Sequence, residues 1–161
     1  MATIKTKKHS FSVSPSLLLL LSISLFSLGK PYKMNNALDK NQQVITIDTF
    51  SEFPPEIDGC ACYFSSDKKE FENKKYIYAD DYGDVAFISI NKKMTKFKIS
   101  KTEKIKESRM IQTWISDKYK LTIDRTQIGQ VEETWQQKGT LKLETKDGKI
   151  ITKNIYGECG C

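Results

Sequence analysis

From residue 44 onward the chain alternates between apolar and polar positions. "VITIDTF" at 44–50 puts Val44 and Thr46 on one face and Ile45 and Ile47 on the other, the period of two that a β-strand imposes. "EFPPEIDG" interrupts it, because two prolines cannot donate to a strand ladder. "CACYF" at 60–64 predicts a short strand, and "DKKEFENK" a polar connection. "KYIYA" at 75–79 and "VAFISI" at 85–90 are β-branched and aromatic runs flanking the turn-type cluster "DDYGD", which predicts a hairpin. "NKKM" at 91–94 turns the chain again. In "TKFKIS" at 95–100, Phe97 and Ile99 face inward and Lys96 and Lys98 outward, and "KTEKIKES" at 101–108 reads as a charged loop or strand tip.

"RMIQTWIS" carries both periods. Ile111, Trp114 and Ile115 have helical spacing, while the Ile, Thr and Trp content and the β-rich neighbours favour a strand. "KYKLTIDR" at 118–125 alternates strictly, with Tyr119, Leu121 and Ile123 on one face; "QIGQVEETW" shows no clear period. "GTLKLETK" and "KIITKNIYG" predict two strands joined at "KDGK", with Asp147-Gly148 as a two-residue hairpin turn. About eight to ten short strands with turns between them, and no helix, predict an all-β antiparallel sandwich or small barrel. One polar face per strand fits a single shared core.

Before residue 43 the pattern is different. Lys5, Lys7 and Lys8 precede the apolar run "LLLLLSISLFSLG" at 17–29, and no acid occurs before Asp39. A basic start, an apolar stretch of roughly a dozen residues and small residues at its end predict a secretory signal peptide over 1–29, cut before Lys30. The run is short of the roughly 20 residues that span a bilayer, so no stable membrane span is expected after cleavage. Residues 30–42 read as a flexible lead-in and 43–161 as a single β domain. The expected localisation is secreted or periplasmic.

Cleavage changes the charge. The full chain carries 26 basic and 20 acidic residues, a net +6. Three lysines and no acids leave with the signal, so the remainder carries 23 against 20, or +3. That mixed surface favours solubility and gives no reason to expect nucleic acid as a partner. The expected partner is a ligand or cell-envelope component of unknown identity.

The chemistry inventory is narrow. The one histidine, His9, lies inside the expected signal, so the exported part would have no Ser-His-Asp or Cys-His catalysis, no ordinary histidine-ligated metal and no pH switch near neutrality. Asp80, Asp81 and Asp84 cluster in "ADDYGDV", and Glu52, Glu56 and Asp58 in "SEFPPEIDG". Carboxylate pairs can cleave glycosides or hold calcium, but acids on turns are ordinarily solvated, and the calcium-loop spacing is absent. The lysines between Lys92 and Lys106 read as a solvated face or edge protection before they read as an anionic-surface patch. Tyr63, Phe64, Tyr76, Tyr78, Tyr82, Phe87, Trp114, Tyr119, Trp135 and Tyr156 are core candidates, some of which could line a ligand-binding barrel mouth. Nothing here points to an enzyme.

Two C-x-C pairs remain, Cys60 with Cys62 and Cys159 with Cys161. Residues two apart on a strand share a face. If the two segments are neighbours in a sheet, antiparallel pairing sets Cys60 opposite Cys161 and Cys62 opposite Cys159, and parallel pairing gives 60–159 and 62–161. Directly opposite residues lie within disulfide reach. Two structural disulfides are the leading expectation, in keeping with export. The alternatives are a four-thiolate site for zinc or copper(I) at the same four cysteines, against which C-x-C is not the usual knuckle spacing, and a thiol-redox pair.

"EIDGCACYFS" and, far downstream, "GTLKL…DGKIITKNIYGECGC" resemble a group of small exported bacterial proteins of unassigned function that carry GCxCYFS and YGxCGC motifs. The resemblance covers most of 44–161. It implies a bacterial secreted or periplasmic protein and supplies no substrate or active site. The function expected is therefore an exported, disulfide-stabilised β domain that binds without catalysis, with metal binding or thiol redox at the cysteines as the alternative.

Overall fold

The structure, a computed structural model, describes residues 44–161. The signal expected over 1–29 and the lead-in over 30–42 lie outside the described residues. Nine strands and one short helix follow one another: β1 (Ile47–Asp48), β2 (Ala61–Ser65), α1 (Lys68–Glu72), β3 (Tyr78–Asp80), β4 (Val85–Ile90), β5 (Lys93–Lys106), β6 (Arg109–Ile115), β7 (Tyr119–Val131), β8 (Thr134–Thr145) and β9 (Ile150–Gly160).

From β2 to β9 each strand pairs antiparallel with the next, and β9 pairs back onto β2. The eight strands thus close on themselves, so the all-β fold is an up-and-down barrel and not a sandwich. Closure removes the free edges of an open sheet. β1 is an extra strand beside β4, where Ile47 and Asp48 oppose Ile90 and Ser89. β5 bends to serve two partners. Lys93–Lys98 pairs with β4 and Lys98–Lys106 with β6, with register shifts after Ile99 and Lys104, where bulges let a strand turn.

Inward positions alternate as the sequence predicts. Phe64, Tyr78, Ile88, Phe97, Trp114, Leu121, Ile123, Leu141 and Leu143 are fully buried and form one core cluster. Burying a leucine or phenylalanine side chain is worth roughly 1.5–3 kcal/mol, and the cluster draws on β2 through β9, so it ties the whole ring together.

Three local expectations are corrected, and two segments left open by their pattern are resolved. "VITIDTF" is a strand only at Ile47–Asp48, with an isolated bridge from Phe50 to Tyr76, because β4 offers a partner only there. "DKKEFENK" contains α1. Asp67 caps it by accepting from the Glu70 backbone N–H at 2.9 Å, and D-x-x-E is a capping signal present in the sequence. The charged stretch at 101–108 is strand as far as Lys106, because Lys101, Thr102, Glu103 and Lys104 pair with Thr113, Gln112, Ile111 and Met110. "QIGQVEETW" likewise becomes the ends of β7 and β8, held by the ladder Gly129–Gln136, Gln130–Trp135 and Val131–Thr134. The last turn has three loop residues instead of two. The Thr145 and Gly148 N–H groups donate to Lys149 and Thr145 carbonyls at 2.9 and 3.0 Å, with Gly148 at φ +83°. That is a type I turn closed by a left-handed glycine.

Candidate functional site

A meander puts alternate turns at alternate ends of the barrel. The β3–β4, β5–β6 and β7–β8 turns share one end with the junction of β2 and β9. At that junction Cys62 opposes Cys159 and Ala61 opposes Gly160. The pairing is antiparallel, so the sulfurs join as Cys60–Cys161 and Cys62–Cys159. No cysteine is free among the described residues. Both bonds therefore lie across the seam where the last strand meets the first of the ring. Beside them Gly157 opposes Phe64. A Cβ on Gly157 would sit 2.1 Å from the Tyr63 carbonyl oxygen, so only glycine lets the strands approach this closely.

The barrel interior is apolar except at this end. Tyr78, Asp80, Gln112, Arg125 and Gln137 are buried together with the Cys62–Cys159 bond. Tyr78 donates its hydroxyl to Asp80 Oδ2 at 2.7 Å, and the Tyr82 N–H donates to Oδ1 at 2.8 Å. Burial pushes the Asp80 carboxyl above its ordinary range, against the pull of the Tyr78 hydroxyl, the Tyr82 amide and the Arg125 charge. Burial also drives the Tyr78 phenol well up, helped by the Asp80 carboxylate.

Arg125 is the unusual member. Its Nη1 donates to Cys62 Sγ at 3.1 Å and also to Cys159 Sγ, and its Nη2 donates to Met110 Sδ at 3.4 Å. Among the described residues its Nε has no partner, and neither does Gln112 Oε1. Sulfur is a weak acceptor, and Arg125 makes no ion pair among the described residues. The side chain borders a cavity of about 160 Å³ whose other walls include Met110, Trp135, Gln137, Lys104 and Lys106. A larger groove of about 520 Å³ at the other end is walled chiefly by exposed lysines and the β6–β7 turn.

The acids singled out in the sequence take separate places. Asp80 lies in the interior. Asp81 Oδ1 accepts from the Gly83 and Val85 N–H groups at 3.0 Å each and holds the turn. Asp84, Glu52, Glu56 and Asp58 are exposed, and Glu56 meets Lys96 at 3.5 Å. Among the described residues no group of three His, Cys, Asp or Glu side chains is placed to hold a metal ion. Lys96 and Lys98 point out from β5 and Phe97 points in. Several aromatics belong to a second packed layer outside the barrel, where Tyr63 stacks on Phe71 at 5.7 Å and Phe53 on Tyr76 at 4.9 Å. Burial and a hydrogen bond to Glu158 raise the Tyr63 phenol.

Sequence reading missed Arg125, Gln112 and Gln137. The signal is parity. Arg125 follows Leu121 and Ile123 at the same spacing, Gln112 precedes Trp114, and Gln137 shares the register of Leu141 and Leu143. A polar residue on the apolar parity of a strand marks an interior polar group. Comparison with protein families, with curated proteins and with solved structures finds no match.

Proposed function

We infer that this is an exported, non-catalytic binding module that receives a small ligand at the disulfide-bearing end of its barrel. The buried polar group around Arg125, opening onto a cavity, carries the reading, because an interior otherwise filled with apolar side chains would be more stable without it. The signal-like leader and the resemblance to small exported bacterial proteins support a secreted or periplasmic setting, and disulfides suit an oxidising compartment. A ligand or envelope component is the partner in this reading. The test is a fragment mixture of varied charge, read by NMR on the Trp135 indole and Gln137 amide resonances. Saturable shifts confined to this end are expected. Fragments that perturb only the opposite groove, or nothing, would sink the reading.

One observation favours thiol redox as a second reading. The Arg125 guanidinium donates to both sulfurs of Cys62–Cys159, and a neighbouring cation stabilises a departing thiolate. Set against this, both residues are only 1% exposed. Thiol titre in a glutathione buffer decides it: ready appearance of two thiols in the native state supports redox, and none supports a structural bond.

A further inference from the structure

We propose that the Arg125 cavity is a binding site for a small carboxylate anion of a few heavy atoms, held on the Nε–Nη2 edge of the guanidinium. The proposal rests on the binding-module reading above and names its ligand class.

Arg125 is 8% exposed, and a buried cation costs several kcal/mol unless it is paired and hydrogen-bonded. Its present acceptors are two disulfide sulfurs and a thioether. Asp80 lowers the cost at longer range, but its oxygens are occupied by Tyr78 and Tyr82. The guanidinium thus has the donors for an oxyanion and, among the described residues, no oxygen to receive them.

Nε and Nη2 lie side by side as a planar fork that matches the two oxygens of a carboxylate. The chain itself shows the same fork filled. Arg109 donates from Nε to Asp124 Oδ1 at 3.0 Å and from Nη2 to Oδ2 at 2.7 Å. In Arg125 the Nε is empty and the Nη2 rests on Met110. Met110 covers this edge and also walls the cavity. Its unbranched thioether is adaptable and can swing aside.

The cavity volume of about 160 Å³ lies well below the roughly 300–1,000 Å³ of pockets for drug-sized ligands. The rim carries one acid, Glu107, against Lys104 and Lys106, and these two lysines have no ion-pair partner among the described residues. They leave a positive approach to the cavity that favours entry of anions.

The experiment uses the full chain with both disulfides formed, titrated with acetate, propionate, acetamide, inorganic phosphate and sulfate. It is read by calorimetry and by the Arg125 Nε–H resonance. Acetate or propionate should bind saturably and shift that resonance. Acetamide, the neutral isostere, should bind at least tenfold more weakly, and phosphate and sulfate less well than the carboxylates. Arg125→Gln should lose at least tenfold in carboxylate affinity. Met110→Ala leaves Arg125 in place and should tighten binding several-fold, so the idea stays testable if Arg125→Gln folds poorly. Equal affinity for acetate and acetamide, preference for phosphate, or no change in either variant would overturn the carboxylate assignment. If neutral fragments still shift Trp135 and Gln137 in that case, the binding-module reading survives and only the ligand class falls. If no fragment moves these resonances, both fall together.

Discussion

At the scale of single residues, two kinds of strain on freedom stand out: glycines where strands nearly touch, and acids moved from their ordinary range. Gly139 lies in β8 opposite Arg125. A Cβ there would sit 1.9 Å from the Asp124 carbonyl oxygen and 2.9 Å from the Arg125 Cα, backbone atoms that cannot turn away. Gly139→Ala should cost about 3 kcal/mol or more in urea denaturation. Gly83→Ala, whose nearest neighbour would be 3.6 Å away, should be close to neutral in the same assay. Asp80 and Asp124 predict opposite pH behaviour. Burial raises Asp80 in the folded state, so the folded protein keeps a proton that the unfolded chain has released, and stability falls as pH climbs from the ordinary carboxylate value through the raised one. Arg109 lowers Asp124, so that contribution is present at neutral pH and is lost as pH falls through the lowered value. Asp80→Asn should therefore gain stability relative to the parent as pH rises toward 7, and Asp124→Asn should lose it. Urea midpoints between about pH 3 and 7 measure both, and a parallel pair of curves for Asp80→Asn would refute its assignment.

At the scale of elements, the turns carry the strain. Asn91 and Lys92 have φ of +50° and +62° and join Ile90 to Lys93, the two-residue turn in which both central residues are left-handed. Asn suits the first position, but a lysine in the left-handed region costs roughly 1–2 kcal/mol. Lys92→Gly should raise stability by up to about 1 kcal/mol, because glycine keeps the backbone N–H that donates to Asp48 Oδ2 at 2.6 Å, and a fall in the urea midpoint would refute the strain at this position. Alternation made most strands legible because each strand's period is its own property. It failed at 101–106 and 127–131, where strand is held by partners and not by periodicity. It also failed at α1, where the segment reads as a polar connection and the helix is marked only by the Asp67–Glu70 capping pattern.

At the scale of the molecule, the seam between β2 and β9 is decisive. Cys60–Cys161 and Cys62–Cys159 close segments separated by 101 and 97 positions. In the chain-entropy picture a loop of about 100 residues is worth roughly 4.7 kcal/mol, but the second bond closes a loop that is already shut. Removing either bridge as a double alanine variant should cost a small part of that amount, and removing both should cost most of it. The expected sum is strongly non-additive, as read by urea denaturation. Additive losses would mean that each bond acts through local packing at the Arg125 end and not through closure of the ring.

The chain's own pattern sufficed for the class of fold, for most strand positions and for which side chains of β5 and β7 turn inward. These follow from a repeat of two that each segment carries without reference to any other. The shared faces of the two C-x-C pairs follow from the same repeat, which left two possible pairings open. The antiparallel register of β2 on β9 chose between them. Sandwich against barrel, and the gathering of Arg125, Asp80, Gln112 and Gln137 at one end, were decided only by the closed tertiary structure. Both depend on contacts between segments up to about a hundred positions apart, brought together by the accumulated twist and tilt of eight strands, and no local period records that sum.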